Sequence, residues 1–481
     1  MSSALPASPA GARGPRGAAA MLCTYVVRRW LRLSAARHHV VKLTPQQVTT
    51  ILQTNEHTHT AEGQRVIDHF DTNQLPSNTP CEDMRSEARC RHTGDHLLGV
   101  YDGHGGRACA QVTSTRLPSY LAASLLPRPQ LEQHLARLEA GDDDQHSLLE
   151  WPNALPPYAD ELDALHESSY LRYVRDLVQE ESAPRDVGHG LQRAFLRLDE
   201  DLAREAVESA ERDDPLGAAT LRAAVSGCVA CVAHLSASRL HLANVGDCRA
   251  VLGVLNDNNQ WVARPLTKEH DCDNADEVQR ITERHPSSER PHLLRDSRLL
   301  GMLAPLRAFG DFRFKWSAEV QRRVVAARLG GDAVFPELRT PPYLTAAPEI
   351  TYHKLAPRDR FLVLASDGLW EQLPPSEVVR LVGEHAHGKT TLTPLRLPRR
   401  DHTLNQVCEI LEARRRGIGT KPQDANAATH LLRHALSGTE SGLNHGRISQ
   451  LLTLPDELVR LFRDDITITV VMFDPDALRP N

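Results

Sequence analysis

The chain has 481 residues, enough to bury a large core in one big domain or two average ones. Its 25% charged and 41% hydrophobic residues are globular values and exclude a disordered or fibrous chain. The net charge of −6 speaks against non-specific nucleic-acid binding, and no apolar run reaches the roughly 18 residues of a transmembrane helix.

Charge is unevenly spread. Residues 1–55 hold no Asp or Glu but carry Arg13, Arg16, Arg28, Arg29, Arg32, Arg37 and Lys42 among Ala, Ser and Gly. From Met21 to Leu33 the pattern sets Arg28, Arg29 and Arg32 around one side of a short amphipathic helix. Such a start has the character of a mitochondrial transit peptide, assigned to residues 1–42, with a disordered basic tail as the plainer reading. Its removal would leave a clearly acidic chain.

Beyond it, Leu43 to Val48 reads as a short helix. His96 to Tyr101 is a strand ending at Asp102-Gly103. Arg107 to Leu126 has helical spacing, with Pro118 expected to bend or break it. Residues 128–188, rich in Pro, Asp and His, read as an insertion with some helix around Tyr158 to Gln179. His189 to Ala210 aligns Leu191, Phe195, Leu198 and Leu202 on one helical stripe.

Three strand-like runs follow in quick succession: Ala223–Leu235, Arg239–Val245 and Arg249–Leu255. Their short spacing predicts antiparallel neighbours. Cys228 and Cys231 form a CxxC inside the first run, where apolar surroundings favour a buried strand over a redox or zinc site. The nine cysteines are too sparse for a disulfide scaffold, and reduced thiols are expected. Phe361–Ala365 and Ile466–Phe473 are further strands. Residues 385–422, with basic LPRRDH and ARRRG stretches, read as a second insertion or loop. Strand clusters with separate helices favour an α+β layered architecture, with one catalytic domain over 43–476 and a tail at 477–481.

The chemistry concentrates in CEDM (81–84), YDGHGG (101–106), ASDGLWE (365–371) and RDDIT (463–467). Each sets an Asp where a strand-like run meets a turn. Singly, an Asp-Gly there is most often only a turn. Together, carboxylates at neighbouring strand ends can converge on hard divalent cations, which prefer oxygen ligands. Two such ions about 4 Å apart can lower the pKa of a shared water and clamp a phosphoryl group. No GxxxxGK[ST] supports a nucleotide-binding P-loop.

In this order DGHGG, SGCVAC, ANVGDCRA, LRAFGD, ASDGLW and DDITITVV resemble the type 2C, metal-dependent PPM protein phosphatases. FDTNQLPSNTP (70–80), RLLGMLAPLRAFGDFRFKWS (298–317) and LPDELVRLFRDDITI (454–468) bring the chain nearer to that family's pyruvate dehydrogenase phosphatase branch. The resemblance covers most of 43–476 and thins in both insertions. It implies a central antiparallel β-sandwich flanked by helices on both faces, and a metal-dependent Ser/Thr phosphatase using two Mg²⁺ or Mn²⁺ ions. Asp83, Asp102, Asp367 and Asp464 match the family's metal ligands, with the Gly103 carbonyl as a further one. Glu82 matches a residue that orients water, and His104 the general acid. Asp247 and Glu371 fall at a weaker third metal site, where Glu371 replaces the usual Asp. Asn78 stands where many members grip phosphate with an arginine. Met84 replaces an Arg of the branch, and Val229 a Thr common in the family.

The same resemblance implies phosphorylated pyruvate dehydrogenase as substrate, the mitochondrial matrix as location, and partners in lipoyl domains of the dihydrolipoyl acyltransferase core and a regulatory subunit. It assigns no residue to modulation by Ca²⁺. The alternatives are a type 2C phosphatase with another phosphoprotein substrate, or a pseudophosphatase scaffold. A scaffold should have lost a metal carboxylate, and all four are present.

Overall fold

The computed structural model describes residues 42–60, 66–153, 162–180, 186–212, 215–335, 338–392, 423–437 and 443–479, with the short pieces 407–408 and 411–412. The N-terminal basic stretch up to residue 41 and most of 393–422 lie outside them. Two large antiparallel sheets are formed, besides the small pair Leu294–Arg295 and Arg298–Leu299. The first runs, in spatial order, His57–Thr60, Ile67–Leu75, Ile466–Phe473, Asp359–Ala365, Arg249–Leu255 and Trp261–Pro265. The second runs Glu349–Lys354, Arg239–Val245, Gly227–Ser236, His96–His104, Met84–Cys90 and Leu149–Glu150. A short strand, Phe309–Gly310, also pairs with Gly227–Ser236.

Alternation along the strands builds the layers. On His96–His104, Leu98 and Val100 enter the core shared with Leu252, Leu362 and Val471 of the other sheet. Leu97 and Tyr101 point the opposite way, into a core with Tyr120, Tyr173 and Phe195. Those aromatics belong to the helices Ala108–Leu125, Asp163–Gln179 and Val187–Glu211, which cover the second sheet. Helices Pro45–Leu52, Pro375–Leu392 and Ala427–Ser437 cover the first through Val48, Val379 and Leu431. The result is the four-layer α/β/β/α arrangement expected. Among the described residues no helix is long and apolar enough to cross a membrane.

Three expectations need correction. Arg249–Leu255 does not continue the sheet of its two predecessors but pairs with Asp359–Ala365 and Trp261–Pro265 in the other one. The crossing occurs at Gly246, whose φ of +97° suits glycine and where a Cβ would overlap Val229. Ala223–Val225 end a helix, Gly217–Val225, instead of opening the strand. Pro118 does not break its helix, which runs unbroken over Ala108–Leu125. Nearly every residue of that helix is buried, and packing of this extent outweighs the roughly 3 kcal/mol cost of an interior proline. Cys228 and Cys231 lie in a buried strand facing opposite cores, and all eight described cysteines are free.

The segment before the Phe309–Gly310 strand is held by charge. Arg307 and Arg280 both donate to the nearly buried Glu277, while Arg307 also reaches the Ala347 carbonyl and Arg280 the Leu306 carbonyl. Burial pushes the Glu277 carboxyl up, but the bonds from Arg307 and Arg280 win and bring it down to about 2. A depressed carboxyl contributes stability above its unfolded pKa of about 4.3 and loses it as pH falls toward the folded value. Glu277→Gln should therefore lower stability by about 2–3 kcal/mol at neutral pH. Urea unfolding should find that gap constant above about pH 5 and narrowing below it. A gap independent of pH would mean that the ion pairs contribute nothing.

Candidate active site

The acids gather where inner-face strand ends meet. Met84 pairs with Tyr101, which sets Asp83 beside Asp102, and Asp102 shares the inner face with Leu98 and Val100. Asp367 opens a one-turn helix directly after the Asp359–Ala365 strand, and Asp464 lies just before Ile466–Phe473. The two sheets are tied here. Ser366 Oγ donates to Asp83 Oδ2 at 2.7 Å, and Gln74 Nε2 donates to the Asp83 carbonyl and to Thr467 Oγ1.

Like charges in a partly buried cleft push one another. Burial, then Asp465, raises the Asp83 carboxyl to about 7. Burial, then Asp83 and Asp367, raises Asp102 well above the usual range. Asp367 is likewise raised by burial and then by Asp247 and Asp464, and its Oδ1 is buried without a hydrogen-bond partner. An orphaned buried oxygen among mutually repelling carboxylates is a donor set that suits hard divalent cations. Among the described residues no three such groups form a closed cage. Asp83 is turned to Ser366 and Asp464 to Arg460.

The neighbouring Asp465 has a different task. Burial pushes its carboxyl up, but bonds from the Ser77, Asn78 and Glu82 backbone N–H groups and from the Asn78 side chain lower it below the usual range. Asn78, expected at the phosphate, thus gives its amide to Asp465. Glu82 Oε1 accepts from the Gly106 N–H at 2.8 Å, and burial raises its carboxyl. Gly103 is bare by necessity, since a Cβ would run into the Glu82 carbonyl. Asp247 is half-buried beside this group, whereas Glu371 is exposed at the end of the Asp367 helix. Both act on the Asp367 carboxyl.

His104 does not stand free. Its Nε2 is 2.5 Å from Asp311 Oδ2. Burial would lower its pKa, but the Asp311 carboxylate raises it above the ordinary value. His104 lies opposite Gly227 in the strand register, and a Cβ at Gly227 would overlap both His104 Nε2 and the Asp311 carboxylate. Asp311 takes a left-handed φ of +50°, its N–H donating to the Ser226 carbonyl. Asp199 fixes the preceding residue by accepting from the Gly310 N–H, and pairs with Lys315. Asp311 closes LRAFGD, so a sequence signal existed, but its partner is distant in the chain.

The family model for protein phosphatase 2C matches residues 171–412. The human [pyruvate dehydrogenase [acetyl-transferring]]-phosphatase 1, mitochondrial, is 43% identical over 90% of this chain and 83% of that one. The chain belongs to the protein phosphatase 2C family. The human phosphatase 2 of the same name is 38% identical over 91% of this chain and 85% of its own. A protein phosphatase 2C homolog of Schizosaccharomyces pombe is 33% identical over 86% of this chain and 82% of its own. Members of this family are metal-dependent protein Ser/Thr phosphatases.

Since Gly227 makes room for the His104–Asp311 pair, Gly227→Ala should leave a folded protein with a displaced imidazole. We expect at least a tenfold loss of phosphoserine hydrolysis, within the range general-acid catalysis supplies, with the melting temperature lowered only slightly. Undiminished hydrolysis by the variant would show that the pair is irrelevant to turnover.

Proposed function

We propose that the protein is a mitochondrial-matrix phosphatase that removes phosphate from phosphoserine of pyruvate dehydrogenase and so reactivates it. Extended similarity to curated relatives of that name supports the substrate. The observation that carries the chemistry is the orphaned, buried Asp367 oxygen among mutually repelling carboxylates. The resemblance also points to lipoyl domains of the acyltransferase core and a regulatory subunit as partners.

In this reading Asp83, Asp102, Asp367, Asp464 and the Gly103 carbonyl hold two Mg²⁺ or Mn²⁺ ions, and Asp247 with Glu371 a weaker third. Bound there, the cations would lower the pKa of the attacking water and offset charge on the phosphoryl oxygens. Ser366 orients Asp83, and Glu82, steadied by the Gly106 N–H, would orient the attacking water. His104 engages Asp311 through Nε2, which leaves Nδ1 to give a proton to the departing serine oxygen. A serine alkoxide needs that proton, whereas p-nitrophenolate leaves without it.

Two outcomes follow. Phosphate release from phosphorylated pyruvate dehydrogenase should require Mg²⁺ or Mn²⁺ and stop in excess EDTA, and Asp367→Ala should abolish it in a folded protein. Turnover by that variant near the wild-type rate would remove Asp367 from the site. His104→Ala should slow phosphoserine hydrolysis about 10²–10⁴-fold and p-nitrophenyl phosphate hydrolysis far less. Equal losses on both substrates would reduce His104 to a supporting role.

A further inference from the structure

The mouth of the cleft carries one more charged group. Arg460 follows the short helix Asp456–Val459 and precedes Asp464 by four residues. Its Nη1 donates to Asp464 Oδ1 at 2.8 Å and lies 3.7 Å from Glu82 Oε2, and its side chain is 48% exposed. Among the described residues these are the only ion pairs that Glu82 and Asp464 make, while Asp83, Asp102, Asp247 and Asp367 make none.

A phosphoserine dianion approaching this cleft meets a rim of carboxylates, so its entry calls for a cation. Of the other arginines nearby, Arg463 and Arg249 are committed elsewhere. Arg463 is buried and donates to the Leu75, Pro76 and Asp464 carbonyls. Arg249, two residues after Asp247, pairs with Glu269. Arg107 is exposed beyond the glycine turn and pairs with no carboxylate of the cleft. Asn78 carries no charge and holds Asp465.

We propose that Arg460 is the phosphate-gripping cation of this enzyme, its guanidinium exchanging Asp464 and Glu82 for two phosphoryl oxygens of the substrate. The exchange is easy in one direction. A half-exposed ion pair holds an arginine weakly, whereas a dianionic phosphate offers it two parallel charge-assisted bonds. Releasing Asp464 also frees that carboxylate for its proposed cations, so Arg460 and the metal do not hold the same side chain at once. The inference rests on the placement of the reaction in this cleft.

Calorimetric titration of inorganic phosphate into the Mn²⁺-loaded protein tests it, with wild type, Arg460→Gln and Arg460→Lys compared. Arg460→Gln should bind phosphate about ten- to a hundredfold more weakly, the range for a hydrogen-bonded charge, and Arg460→Lys should fall between. KM for a phosphoserine peptide should rise by a similar factor, with kcat changed only severalfold. Unchanged phosphate affinity in a folded Arg460→Gln protein overturns the inference, whatever happens to turnover. Wild-type protein that binds phosphate yet hydrolyses no phosphoserine substrate would instead remove the reaction from the cleft.

Discussion

The structure is organised around one electrostatic constraint: several carboxylates must share a largely buried cleft at the end of a β-sandwich. Burial and mutual repulsion raise Asp83, Asp102 and Asp367 together, an arrangement unfavourable to folding unless cations discharge it. The sheets bring these residues close because strand pairing is stiff and fixes the face each side chain takes. Asp102 cannot leave the inner face without moving Leu98 and Val100 out of the core between the sheets. Fold stability thus holds together an acid cluster that would otherwise spread apart.

Around that cluster, hydrogen bonds and ion pairs fix the loops that carry the remaining residues. Asp465 sits beside Asp464 but collects the N–H groups of Ser77, Asn78 and Glu82, pinning the loop that carries Glu82 and Asp83. The His104 side is pinned from further away. Glu277 and Arg307 fix the segment leading to Asp311, while Asp199 and Ser226 fix its backbone. A substitution at Glu277 or Asp199 therefore acts on the imidazole without touching it, through the loop that carries Asp311.

Much of this was legible in the sequence. An Asp at the junction of an apolar run and a turn is weak alone, but four in one chain say more: Asp83, Asp367 and Asp464 lie at or beside strand ends, and Asp102 lies near the end of His96–His104. What stayed hidden depended on long-range pairing. Arg249–Leu255 has the alternation of a strand, yet nothing local says that the chain changes sheets at Gly246. Pro118 looked like a helix breaker because propensity ignores the burial around it. Asp464 and Asp465 are adjacent and chemically identical, and only the hydrogen bonds from residues 77–82 separate their roles. Asp311 was visible as part of a motif, but its bond to His104 joins residues 207 apart in the chain.

This cluster is proposed to hold divalent cations. Calorimetric titration of metal-free protein with Mn²⁺ tests it most directly, because it counts bound ions without depending on turnover. At least two ions per chain are expected in the wild type and at least one fewer in Asp367→Asn, with both proteins folded. No saturable binding, or the same number of ions in both proteins, would contradict it.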